Sequence, residues 1–186
     1  MKNIENIINN RKIKKGEVVF ILYCGTDSRR EKMKNMEELI EHHRNFAEKV
    51  IKANRGFRPQ IVISVKNEII PFLIAGDVSR YTIKTVLNKI DKLKSNADWI
   101  ILMHEAYSKA CRSKETAEQF AGNLEEKYLA GDTGVKWVFS MQAYFKDNDT
   151  KKFIKRMVVY EITKGTLEFN KIWDDDNFEG YLTLDV

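Results

Sequence analysis

The stretch QIVISVKNEIIPFLIAGD, residues 60–77, and the DWIILMHE that follows at 98–105 decide the fold. Ile61, Ile63 and Val65 recur at every second position, the period of a strand with one apolar face. Lys66-Asn67 supplies a turn, and residues 68–75 return as the second strand of a hairpin. Pro71 stands inside that returning strand. Proline has no N–H to give to a ladder, so the strand is expected at an edge or bulged there. Gly76, Asp77 and Ser79 form a loop and a helix cap, and Ile83, Val86, Leu87, Ile90 and Leu93 make a helical stripe ending near Asn96. Residues 98–103 are apolar on both pleat faces, as a strand in the middle of a sheet must be.

Working outward, Ile4, Ile7 and Ile8 share a helical face, and residues 17–24 form a continuous apolar run suited to a buried strand. Asn35 followed by Glu38 resembles a capping box. Behind it, Met36, Leu39, Ile40, His43, Phe46, Ala47, Val50 and Ile51 fall at three- and four-residue steps, a helix closed by Gly56. Downstream, Ala117, Phe120, Ala121 and Leu124 mark a short helix entered through Ser113 and closed by Gly131. Val135, Trp137, Phe139, Met141, Ala143 and Phe145 then alternate without a miss. Asp147-Asn148-Asp149 turns the chain into a strand carrying Ile154, Arg156, Val158, Tyr160 and Ile162. Lys164-Gly165 turns it again into a partner with Leu167, Phe169 and Trp173, and residues 181–186 are read as an edge strand.

This order predicts an α+β fold: a single mixed or mostly antiparallel sheet, helices packed on one face, and a C-terminal β meander. A doubly wound fold would need β-α alternation to the end and, for a dinucleotide, a glycine-rich first turn. At 186 residues the chain is read as one domain, 1–186. Its parts are an N-terminal helix-and-strand segment (1–56), the hairpin-helix-strand core (57–105), and a helix with the meander (106–186).

With 43% hydrophobic and 32% charged residues, the composition excludes a disordered chain. The net charge of +5 is modest and both signs are interleaved, so it reads mainly as solvated surface. Cys24 and Cys111 lie far apart without CxxC or Cys/His spacing, which argues for a reducing compartment and against a disulfide framework or structural zinc. Arg11 to Lys15 followed by the apolar run 18–23 mimics an export signal. The run is short, Glu17 abuts it, and bulky Tyr23 stands where a small residue is needed before cleavage. No run approaches the ~18 apolar residues of a membrane span. The expected location is cytoplasmic, with no membrane partner.

Few residues invite a chemical reading. His104 and Glu105 close the central strand and are the candidate catalytic pair, although neighbours on an extended strand point to opposite faces. HExxH would need a histidine where Ser108 stands, and the deaminase pattern is absent. His42 and His43 sit on the predicted helix, His43 on its apolar face. Glu161 and Lys164 follow the acid-then-lysine order of metal-dependent nucleases but are one residue too far apart to share a strand face. Asp147, Asp149 and Asp174 to Asp176 lack the spacing of a calcium loop and read as turn acids. Arg29, Arg30, Lys32 and Lys34 are a candidate anion-binding cluster, set against Glu31, Glu37 and Glu38. There is no GxSxG elbow, P-loop or GxGxxG, and no cofactor is called for.

Three pieces, Asn67 to Pro71 (NEIIP), Ala97 to Tyr107 (ADWIILMHEAY) and Arg156 to Glu161 (RMVVYE), together resemble a loosely defined group of uncharacterised prokaryotic and phage proteins. A strand ending in Glu-Ala-Trp is typical of that group; here the aromatic is Tyr107. The resemblance implies the segment order and a viral or mobile-element setting, and it implies no activity. The expected function is an accessory or interaction module with a protein partner, dimeric through an open sheet edge. Two readings compete with it: a metal-assisted hydrolase or nuclease using His104 and Glu105, and nucleic-acid binding through the 29–34 cluster.

Overall fold

A computed structural model describes residues 18–20, 33–53, 56–74, 85–86, 88, 93, 95–109, 124–147 and 149–174. The expected helix at 4–8, both cysteines, Arg29, Arg30, Lys32, residues 111–123 and the strand at 181–186 lie outside them. Among the described residues seven strands form one sheet: β1 (Val18–Phe20), β2 (Gln60–Val65), β3 (Glu68–Ile74), β4 (Trp99–Lys109), β5 (Val135–Lys146), β6 (Phe153–Thr163) and β7 (Thr166–Asp174). Their order is β1-β3-β2-β4-β5-β6-β7, and every neighbouring pair is antiparallel. The fold is α+β, as expected, and its last three strands run as a meander.

Side chains alternate across this sheet, and the alternation divides the core in two. Val62, Trp99, Ile101, Met103, Phe139, Met141, Val158, Tyr160 and Leu167 pack under the helix α1 (Met36–Lys52). Ile61, Ile63, Phe72, Ile100, Leu102 and Tyr144 point the other way and meet Val86 and Leu93 of the helical stripe. A strand buried on both faces has to be apolar at every position, which is why 99–103 reads as an unbroken run.

α1 forms where the three- and four-residue spacing predicts. Met36, Leu39, Ile40, His43, Ala47 and Ile51 are buried, while Phe46 stays exposed and sets its ring edge-on to Phe57 at 6.1 Å. Asn35 caps it by accepting from the Glu38 N–H at 2.9 Å. The Glu38 carboxylate reaches back one residue further than a capping box requires, to the Lys34 N–H at 2.7 Å. Glu37 and Glu38 in the first turn and Lys49 and Lys52 in the last complement the helix dipole.

The hairpin turns follow their residues. Lys66 and Asn67 take φ of 52° and 66°, and Lys164 and Gly165 take 51° and 79°, the doubly left-handed turn that matches strand twist. β3 is not the outermost strand, yet Pro71 breaks nothing. Ile74 N donates to Pro59 O at 2.8 Å, so alternate amides from Ile74 back to Ile70 face β2, and the Pro71 nitrogen points to the β1 side. Described pairing with β1 ends at Phe20 opposite Phe72, one residue short of it. In β7, Tyr160 pairs with Phe169 and Val159 with Lys171, which leaves Asn170 out of register. This bulge brings Ile172 onto the face shared by Leu167 and Phe169, where strict alternation would have put Trp173.

Candidate functional site

His104 and Glu105 sit in the interior of β4, which runs on to Lys109, so their side chains leave the sheet on opposite faces. Glu105 lies on the α1 face opposite Phe139. Its Oε1 accepts the Phe57 N–H at 2.5 Å, and the Trp137 side chain also donates to it. Burial pushes this carboxyl above its ordinary value, partly opposed by those two donors. The group ties the segment between α1 and β2 to the sheet. Tyr107, on the same face, packs against Tyr128 of the short helix α2 (Leu124–Leu129) with ring centres 5.2 Å apart.

His104 is 6% exposed on the other face, with Nδ1 3.2 Å from the Glu105 carbonyl oxygen. Burial holds its imidazole below the usual value. Ser140 stands directly opposite it on β5, Gln142 follows on the same face, and both are buried. Ser140 Oγ has no hydrogen-bond partner among the described residues. Three buried polar side chains therefore line up on this face, with a sheet's thickness between them and the Glu105 carboxylate.

The larger described cavity, about 430 Å³, lies elsewhere, at the end of the sheet where the β2–β3 and β5–β6 turns meet the start of β4. Its floor is apolar: Met33, Trp99 and Phe145 are all buried. Lys66, Lys146 and Lys151 bring cationic side chains to it from three places. Two carboxylates also line it, and both brace backbone. Asp98 accepts from the Asn67 N–H at 3.3 Å, and its own backbone links Ser64 to Lys146. Asp147 Oδ1 accepts from the Asp149 N–H at 3.0 Å, the Thr150 N–H at 2.6 Å and the Thr150 hydroxyl at 2.9 Å. Those donors hold the Asp147 carboxyl below the usual range.

A second cavity of about 270 Å³ opens at the other end of β5, beside Tyr128, Asp132, Lys136 and Glu161. Its charges are matched in pairs, Lys109 with Asp132 at 2.8 Å and Lys136 with Glu161 at 2.9 Å. Glu161 is thus held by a cross-strand lysine, while Lys164 sits in the following turn. Neither cavity is lined by His104 or Glu105. Of the basic cluster only Lys34 is described, and it is exposed. Among the described residues no three His, Cys, Asp or Glu side chains gather as a metal-binding group, and no helix is long and apolar enough to cross a membrane.

Sequence reasoning did not single out the lysines of the sheet-end cavity. Lys66 reads as a turn residue, but its meeting with Lys146 and Lys151 depends on β2, β4 and β5 lying side by side. Fold and surface define a small antiparallel α+β protein with a cavity at one end of its sheet lined by three lysines and two carboxylates. Comparisons of the chain with protein-family models, curated proteins and solved structures find no match.

Proposed function

We propose that the protein is a non-catalytic accessory module that works by docking along the β7 edge, with a second copy of itself as its partner. One observation carries this reading: Phe169 and Ile172 are 63% and 43% exposed on the outermost described strand at that side of the sheet. Large apolar side chains on a strand that pairs with one neighbour among the described residues invite a further strand. The Asn170 bulge puts both on the α1 face, and the Phe169 ring leans edge-on against Tyr160 at 6.2 Å. Pairing β7 with its own copy across a two-fold axis would bury both residues twice and continue the sheet.

The hydrolase reading draws no support from a strand that sends His104 and Glu105 to opposite faces. The setting that accompanies the docking reading is the cytoplasm of a prokaryote or of a phage- or plasmid-bearing host, from the cysteine usage and the segment resemblance. Light scattering across a concentration series tests it. A dimer is expected for the native chain, and a folded monomer for the Phe169→Lys, Ile172→Lys double variant. A native chain that stays monomeric at the highest concentration, or a variant that dimerises equally well, refutes it.

A further inference from the structure

The geometry points to the sheet-end cavity as a binding site for an organic phosphate of mononucleotide size, its flat ring on the apolar floor and its phosphate among the lysines. The site is independent of the β7 edge.

Size and lining both favour this class. A volume of about 430 Å³ falls in the range of small-molecule pockets. The lining offers both kinds of contact, with Met33, Trp99 and Phe145 at its floor and the Lys66, Lys146 and Lys151 side chains at its rim. Lysine is a compact point charge suited to phosphate oxygens. Among the described residues Lys66 and Lys146 make no ion pair, in contrast to the lysines at the second cavity.

The two carboxylates in the lining keep their charge and also hold the frame. Asp98 holds the β2–β3 turn through the Asn67 N–H, and Asp147 holds the β5–β6 turn through Thr150 and Asp149. The frame fixes where the lysine backbones stand: Lys66 is locked in its left-handed turn, and the Lys146 N–H donates to the Asp98 carbonyl at 2.9 Å. Charge is thereby brought together from segments that are distant in sequence. Three lysines against two carboxylates leave the mouth net cationic.

Calorimetry with AMP, adenosine, inorganic phosphate and a 5′-phosphorylated oligonucleotide tests the assignment. AMP is expected to bind in a salt-sensitive way, more tightly than adenosine or inorganic phosphate alone. The Lys66→Asn, Lys146→Gln double variant should weaken AMP by about tenfold or more, the scale of losing charge-assisted contacts. Asparagine tolerates the left-handed backbone at position 66, so an unchanged melting temperature is expected. Lys164→Gln, at the distant β6–β7 turn, should bind AMP as the native chain does. The inference is overturned if AMP does not bind, if the double variant binds it equally, if Lys164→Gln weakens it as much, or if only the oligonucleotide binds.

Discussion

His43 is 5% exposed, wedged between α1 and the edge of Trp99 at 5.3 Å, and its Nδ1 lies 2.9 Å from the Leu39 carbonyl oxygen. A carbonyl only accepts, so Nδ1 carries a proton in this contact. Burial drives its pKa from 6.5 to about 4. The unfolded chain takes up a proton at the higher value and the folded chain only at the lower, so stability falls as pH is lowered between them. The loss is roughly 3 kcal/mol. Urea unfolding at a series of pH values should show it, and His43→Leu should flatten the profile; an unchanged slope in that variant would assign it to other groups. Glu105 has the opposite sign. Burial raises its pKa above 4.5, so the folded chain holds the proton to higher pH and stability declines as pH rises through the raised value. Glu105→Gln should remove that decline. Glu105→Ala leaves the buried Phe57 N–H without its acceptor and is expected to cost about 1–3 kcal/mol.

At the scale of the element, α1 is fastened at both ends. Near its start Arg156 reaches from β6 to Glu37 at 2.7 Å and to Asp174 on β7. Both carboxylates are largely exposed, so Arg156→Ala should cost within about 1 kcal/mol. Asn35→Ala removes the cap and should cost about 1 kcal/mol, read by thermal unfolding. Near the other end, Gly165 lies against Lys52 with room for a methyl group at ordinary contact distance. The expected cost of Gly165→Ala, about 1–2 kcal/mol, therefore comes from its φ of +79° and not from a clash. These elements were legible in the sequence because their causes are local: a cap three residues from its amide, a helical stripe, a two-residue turn. Phe46 misled because periodicity cannot tell a helix flank from its buried face, and Phe46 stands at that flank. The Asn170 bulge was invisible for a related reason, since an extra residue shows only against its partner strand.

At the scale of the whole molecule, the order β3-β2-β4-β5 makes the pocket. Trp99, Phe145 and Lys66 belong to three strand ends that nothing in their local sequence brings together. The period-two pattern fixes which side chains share a face, but not which strand lies beside which. The opening hairpin and central strand were therefore readable as scaffold, whereas the surface they create was not, and the adjacent His104 and Glu105 are sent apart by the same strand. The other consequence of strand order is an outermost described strand with Phe169 and Ile172 exposed. Amide hydrogen exchange of β7 across a range of protein concentrations tests the docking reading most directly. The account predicts that the alternate β7 amides pointing away from β6 become protected as concentration rises. Equally fast exchange of those amides at every concentration would contradict it.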